Sequence, residues 1–262
     1  MKADHRATLL QRQIFSPGLF SVTFHCPELA GSTRAGQFAM VDVPNRIRPY
    51  LRRAYSVADA DPQAGTVEFL LKTIGRGTAA LEELPVGAPV HLLGPLGNAF
   101  TVSDLTRGSR VAIVAGGIGA APFPALLKAL ARADSATDFY FGGRNARELA
   151  LAERFAGAVT GETILSSDDG SLGEKGFVTQ ALARRLAAGA AYARVYACGP
   201  MPMFAALAKV VGPAGISSEF STEAEMGCGY GACLGCVIPG TEKPFIVSCS
   251  EGPILSPEKI RW

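Results

Sequence analysis

The sequence predicts a multi-domain β plus α/β protein: an antiparallel β-barrel over residues 1–104, a doubly wound parallel sheet over residues 105–216, and a small cysteine-rich tail over residues 217–262. Three observations carry this. The first part is made of short β-branched and aromatic runs broken by Gly and Pro. After Arg107 the order becomes apolar strand, glycine turn, helix, and repeats, as in a parallel sheet covered on both faces. Four of the six cysteines then gather near the C-terminus.

In the first part, Leu19-Phe-Ser-Val-Thr-Phe-His-Cys, Phe38-Ala-Met-Val-Asp-Val, Ala54-Tyr-Ser-Val-Ala and Thr66-Val-Glu-Phe-Leu-Leu-Lys alternate as half-buried strands do. The one helix-like segment is Thr78-Ala-Ala-Leu-Glu-Glu-Leu, with Thr78 as the N-cap. Arg53-Ala54-Tyr55-Ser56 follows the first Pro/Arg-rich loop. An Arg, an aromatic and a Ser in that order set a guanidinium against a pyrophosphate, a flat phenol against a ring system and a hydroxyl at a polar ring edge. Alone, the string reads more readily as a strand edge with a solvated Arg. Further on, Thr73-Ile-Gly75-Arg-Gly77-Thr78 joins a strand to a helix start, where the Gly77 and Thr78 amides face a phosphate unless this is a plain Gly turn. Together the two stretches point to a flavin diphosphate.

In the second part, Val111-Ala-Ile-Val-Ala leads into Gly116-Gly117-Ile-Gly119 and the helix-like Pro122-Phe-Pro-Ala-Leu-Leu-Lys-Ala-Leu. Such a turn brings backbone close to a dinucleotide phosphate, although this is not a full GxGxxG. Thr137-Asp-Phe-Tyr-Phe, Glu162-Thr-Ile-Leu-Ser and Arg194-Val-Tyr-Ala read as further strands, with Glu148–Phe155, Val178–Leu186 and Pro202–Val211 as helices. Ala197-Cys198-Gly199-Pro200 closes a late strand, so both glycine turns fall where doubly wound sheets bind ligands. Cys198 either lies near a nicotinamide or packs in the core. Asp168-Asp169-Gly170 reads first as a turn and only then as an acidic pair for acid/base work, Arg144 first as an exposed loop residue and only then as a contact for a 2′-phosphate, and His5, His25 and His91 have no triad or metal partner in sequence.

In the tail, Cys228, Cys233, Cys236 and Cys249 form C-x4-C-x2-C followed by a fourth Cys, the plant-type spacing for a [2Fe–2S] cluster. The competing readings are zinc, disulfides and core packing. Zinc sites usually show two CxxC-like pairs, and six cysteines in 262 residues is not a disulfide scaffold. Cys26 and Cys198 sit apart in apolar contexts and read as small buried hydrophobes. The tail is too small to bury a core alone, so a cluster is expected to staple it.

With 25 basic and 23 acidic residues the net charge is +2, and no basic run interleaved with aromatics suggests nucleic acid. There is neither a signal-peptide core nor an apolar run long enough to span a bilayer, so no membrane role is expected and a cytoplasmic protein is. No proton-transfer constellation is present, which fits chemistry carried by cofactors.

In this order, Arg53-Ala-Tyr-Ser, Gly75-Arg-Gly-Thr, Gly116-Gly-Ile-Gly-Ala-Ala-Pro, Cys198-Gly-Pro-Met-Pro-Met and the terminal cysteines resemble the ferredoxin-reductase superfamily, a flavin-binding barrel followed by a nucleotide-binding α/β domain. Asp168-Asp-Gly-Ser-Leu-Gly-Glu-Lys-Gly-Phe-Val-Thr and Glu223-Ala-Glu-Met-Gly-Cys look like the electron-transfer subunits of NAD-dependent dihydroorotate dehydrogenases. Members of that branch read closer to Arg-Pro-Ile-Ser where this chain has Arg53-Ala-Tyr-Ser. The resemblance implies FAD on Arg53, Ala54, Tyr55, Ser56, Leu70, Leu71, Lys72, Gly77 and Thr78, a [2Fe–2S] cluster on Cys228, Cys233, Cys236 and Cys249, and NAD at the glycine turns. It further implies a partner, the FMN-binding catalytic subunit that oxidises dihydroorotate in pyrimidine biosynthesis, in a heterotetramer of two of each. Two other readings stay open: a related subunit feeding a hydrogenase, sulfur reductase or transhydrogenase, and a zinc-stapled nucleotide-binding module. NAD against NADP is not decided by the sequence.

Overall fold

The computed structural model describes residues 2–42 and 51–262. The Pro/Arg-rich loop and the end of the strand expected to reach Val43 lie outside them. Seven antiparallel strands make the first sheet: β1 (Ala3–Ser16), β2 (Leu19–His25), β3 (Phe38–Val41), β4 (Arg53–Ser56), β5 (Asp59–Asp61), β6 (Thr66–Lys72) and β7 (Pro89–Leu96), in the order β4-β3-β7-β1-β2-β6-β5. The sheet curls around Leu9, Phe20, Val22, Phe24, Phe69 and Leu92, closed at one end by α1 (Pro27–Ser32). Between β6 and β7 lies α2 (Arg76–Glu82), starting two residues earlier than expected. Its N-cap is Gly75. Thr78 sits one turn in, and its hydroxyl accepts from the Ile74 and Gly75 amides at 3.0 and 3.2 Å, which tightens the turn backward.

The second sheet takes β8 (Arg110–Gly116), β9 (Ala136–Gly143), β10 (Thr163–Ser167), β11 (Glu174–Lys175), β12 (Arg194–Cys198) and β13 (Ser218–Ser221), mutually parallel, in the order β11-β10-β9-β8-β12-β13. On one face lie α3 (Phe123–Arg132) and the segment Glu148–Phe155; on the other lie α4 (Val178–Ala187) and α5 (Met201–Val211). Glu148–Phe155, expected as a helix, is wound in 3-10 turns. Leu149, Leu151 and Phe155 are all buried, and that spacing cannot face one side of an α-helix.

The tail is not held by a cluster alone. A hairpin of β14 (Val237–Pro239) and β15 (Phe245–Val247) leads through α6 (Ser248–Glu251) to β16 (Ile254–Leu255), which adds an antiparallel edge to β13. Cys236 and Cys249 share a core with Phe38, Met40 and Leu96 of the barrel. Asn98, just past β7, clasps the tail: its Oδ1 accepts from the Ile254 amide at 2.9 Å and its Nδ2 donates to the Ile254 carbonyl at 2.8 Å. Among the described residues no helix is long and apolar enough to cross a membrane.

Asn98→Ala leaves two backbone groups of Ile254 without partners, so a loss of about 1–3 kcal/mol is expected in urea unfolding. Unfolding midpoints that coincide with wild type would show that the clasp does not hold the tail.

Candidate functional site

Two clefts meet where the sheets face each other. The first, about 230 Å³, is lined by Phe38, Ala54, Tyr55, Ser56, Leu70, Leu71, Lys72 and Thr78 from the barrel, and by Ile118, Ala121, Glu223, Ala224 and Met226 from the other side. The sequence-predicted barrel residues are thus brought together, and Arg53 joins them at the rim. A Cβ on Gly77 would stand 3.3 Å from Arg53 Cγ and 3.8 Å from the Tyr55 hydroxyl. The bare Gly77 backbone therefore forms a small cradle with the Arg53 side chain beside it, sized for a charged group such as a phosphate. Burial pushes the Tyr55 phenol up to about 12, against the opposing pull of Arg53, so Tyr55 is a neutral flat wall. Leu70 and Leu71 complete an apolar side, and a flat ring system with a diphosphate tail fits this set.

The second cleft, about 460 Å³, runs along the C-terminal edge of the parallel sheet. It is lined by Gly116, Gly117 and Ile118 after β8, Gly142 to Arg144 after β9, Asp168 after β10, Phe177 to Thr179 at α4, and Pro200, Pro202, Met203 and Ala206 at α5. Lys72 and Ile118 belong to both clefts. Gly116, Gly117 and Pro200 line the cleft as the sequence suggested. Gly119, Cys198 and Gly199 act behind it. A Cβ on Gly119 would lie 2.4 Å from the Cys198 carbonyl oxygen, so this glycine lets the ends of β8 and β12 close up, and one on Gly199 would lie 2.5 Å from Met203 Cε, so that glycine lets α5 pack against the end of β12. Cys198 is 1% exposed in the core below. Burial and the nearby Glu223 push its thiol well up, so it remains a protonated, packed group.

Two carboxylates escaped the sequence reading. Glu148 receives Lys72 Nζ at 2.6 Å, Arg144 Nε at 2.8 Å and the Arg144 amide at 3.0 Å. Burial works against ionisation there, but these donors outweigh it and bring the carboxyl down to about 2. This bridge ties barrel to α/β domain along the second cleft, which Lys72, Arg144 and Glu148 all line. Glu223 stands in the wall of the first cleft, where desolvation raises its pKa. Neither was legible, because their surroundings come from distant segments. Asp168, expected only as a turn residue, lines the second cleft, and Arg144 is paired with Glu148 rather than free.

The four tail cysteines come together in two pairs, Cys228 with Cys233 and Cys236 with Cys249. The Cys233 amide donates to Cys228 Sγ at 3.4 Å, and the Cys249 amide to Cys236 Sγ at 3.4 Å. Gly229 and Gly231 take φ of 81° and 92°, turning amides toward the loop interior. Partial burial opposes it, but N–H groups of Tyr230, Cys233 and Ala232 hold the Cys228 thiol down to about 6; burial and the adjoining Cys236 push Cys249 up to about 12. Among the described residues no three of these sulfurs lie within 4.8 Å of one another. Four thiolates on a single zinc would all lie closer, whereas two pairs suit two irons. All six cysteines are free of disulfides. Among the described residues the one group of three that does converge, His5, Cys26 and Glu28, lies at the barrel's α1 end, with Cys26 buried.

The fold and its three sites define a ferredoxin-reductase-like oxidoreductase with FAD, NAD and iron–sulfur domains. Residues 7–100 match the family model for the oxidoreductase FAD-binding domain, 113–209 that for the oxidoreductase NAD-binding domain, and 223–261 that for the iron-sulfur cluster binding domain of dihydroorotate dehydrogenase B. The chain is 33% identical over 259 residues to the dihydroorotate dehydrogenase B (NAD(+)) electron transfer subunit of Desulforamulus reducens, spanning 98% of this chain and 97% of that one. It is 35% identical to the subunit of the same name from Lysinibacillus sphaericus, over 97% of each. The chain belongs to the family of dihydroorotate dehydrogenase B electron transfer subunits. Among solved structures, an NADH-dependent reduced ferredoxin-NADP oxidoreductase studied for flavin-based electron bifurcation superposes with a TM-score of 0.86 at 25% identity, over 98% of this chain and 90% of that one.

The Glu148 bridge has a definite pH signature. Its folded pKa of about 2 lies below the ordinary 4.5, so its stabilisation is complete above pH 4.5 and lost as pH falls toward 2. Glu148→Gln is expected to cost about 1–3 kcal/mol at neutral pH, a difference that shrinks as the medium is acidified. A wild-type-minus-variant difference that stays constant down to strongly acid pH in thermal melts would refute the bridge.

Proposed function

We propose that this chain passes electrons from an FMN-binding dihydroorotate dehydrogenase catalytic subunit through a [2Fe–2S] cluster and FAD to NAD, in the cytoplasm and in a heterotetramer of two of each subunit. The observation that carries the reading is continuity. The dinucleotide cleft opens into the flavin cleft at Ile118 and Lys72, and the flavin cleft ends at Met226, two residues before Cys228. When bound, FAD converts between the hydride of NAD and the single electrons of the cluster.

The chain's own residues bind and orient. Arg53 and the Gly77 amide take the diphosphate, with the Thr78 amide behind. Ala54, Tyr55, Ser56, Leu70 and Leu71 wall the ring system and exclude water from it, and Lys72 marks the passage to the second cleft. Gly116, Gly117 and Pro200 let the dinucleotide backbone approach, and Gly119, Cys198 and Gly199 shape the edge beneath. Cys228, Cys233, Cys236 and Cys249 hold the irons. Tyr230 and Leu234, beside the cysteines, are 52% and 61% exposed, an apolar collar that suits a partner subunit.

A second reading, a bifurcating oxidoreductase subunit, is favoured by the superposition at 0.86. The co-purified complex distinguishes them: dihydroorotate-dependent NAD reduction is expected, and an intact complex without it would sink the first reading. Within the chain, Cys249→Ser is expected to remove the iron–sulfur absorbance while NADH still bleaches the flavin band. Loss of flavin reduction in step with the cluster would invert the proposed order of sites.

A further inference from the structure

Away from the clefts and the tail, His5, Cys26 and Glu28 bring an imidazole nitrogen, a thiol sulfur and a carboxylate oxygen within 4.8 Å of one another, at the end of the barrel that α1 closes. Two segments build this group. Along β1, Ala7 and Leu9 are buried while Asp4 and Arg6 are exposed, so the period of two turns His5 toward the inside of the barrel. Cys26 follows β2 as the N-cap of α1, with its side chain fully buried. Its amide donates to the Gly65 carbonyl at 2.8 Å and its carbonyl accepts from the Ala30 amide at 2.9 Å, which fixes the backbone from both sides. Pro27 then sets the first helical turn, and Glu28 stands exposed beside it, in no ion pair among the described residues. His5 Nε2 lies 3.2 Å from the Gly94 carbonyl, which can only accept. The ring proton therefore sits on Nε2 and the lone pair on Nδ1, the way a metal-binding imidazole is commonly held, with its other N–H on a carbonyl.

We propose that these three side chains bind a zinc ion, with water in the fourth position, and so pin β1 to α1 across the end of the barrel. A thiolate and an imidazole are poor ligands for magnesium or calcium, which take oxygen, whereas zinc accepts sulfur, nitrogen and oxygen together. The thiolate and the carboxylate match the double charge of the ion, so a partly buried complex carries no net charge. The Cys26 proton leaves to solvent as the metal enters. Zinc ligands at about 2.0–2.3 Å from the ion stand about 3.3–3.8 Å from one another. Glu28, being exposed, is free to close that distance and leaves the water position open to solvent. The tail sulfurs do not converge three at a time, so the two metal sites differ in geometry as well as in place.

The holoprotein, with flavin and iron–sulfur centre in place, is titrated anaerobically with zinc chloride against a chromophoric chelator, and zinc and iron are then counted. The wild type is expected to hold one zinc ion per chain at unchanged iron content, and its thermal unfolding midpoint to rise with zinc. Glu28→Gln, a surface change that leaves the barrel intact, is expected to weaken zinc binding at least about tenfold, and His5→Gln likewise. Cys26→Ala should abolish it, with NADH still bleaching the flavin band in all three variants. With cobalt chloride as the probe, the wild type should show thiolate-to-cobalt charge-transfer absorbance that Cys26→Ala lacks. No zinc uptake by the wild type, or uptake unchanged in both Glu28→Gln and Cys26→Ala, would overturn the site. Uptake at the expense of iron would put the zinc on the tail cysteines and overturn it equally.

Discussion

The structure hinges on the attachment of the tail to both sheets at once. β16 extends the α/β sheet through β13, while Asn98 and the core of Phe38, Met40 and Leu96 bind the same tail to the barrel. Phe38 is part of two environments: it lines the first cleft and packs in the cluster with Cys236 and Cys249. The position of the cysteine loop and the shape of the flavin cleft are therefore not independently adjustable. For electron transfer this matters more than any single contact, because the sites have to remain close without being able to touch.

The junction of the two clefts shows the same economy. Gly119 allows β8 and β12 to end within van der Waals reach, which a methyl group there, 2.4 Å from the Cys198 carbonyl oxygen, would prevent, while one on Gly199 would press on Met203. The opening created there is bordered by Ile118, and from the barrel side by Lys72, whose charge is matched by Glu148 and not left facing an apolar passage. The carboxylate of Glu148 serves both domains, since Arg144 and Lys72 approach it from opposite sheets. A half-buried carboxylate with partners on two elements ties those elements to each other.

Much of this was legible in the sequence because it is local. Most strands of both sheets follow from period-two runs and buried apolar runs, and the glycine turns and the cysteine spacing carry their chemistry within a few residues, whereas β1, with His5 in it, looks like a disordered terminus in the sequence and is a strand of 14 residues. What escaped is what depends on distance. Glu148 and Lys72 are 76 residues apart, and nothing near either announces the other. β16 is only Ile254–Leu255, too short to show a period, and its strand character comes from β13. The start of α2 moved because Thr78 bonds back to Ile74 and Gly75, a choice between two caps that the sequence permits equally. Glu148–Phe155 has helical composition, yet burial of Leu149, Leu151 and Phe155 on one side imposes tighter turns.

The two cysteine pairs differ in surroundings, and the difference has a direction. Cys236 and Cys249 are buried against Phe38 and Met40, on the side of the flavin cleft, whereas Cys233 is exposed and Cys228 partly so, beside Tyr230 and Leu234. Amides turned toward Cys228 favour its thiolate, while burial disfavours charge at Cys249. On the reading proposed here, the outer pair meets the partner and the inner pair faces the flavin. The outer pair is thus open to a docking subunit, and the inner pair is packed into the wall it shares with the flavin cleft.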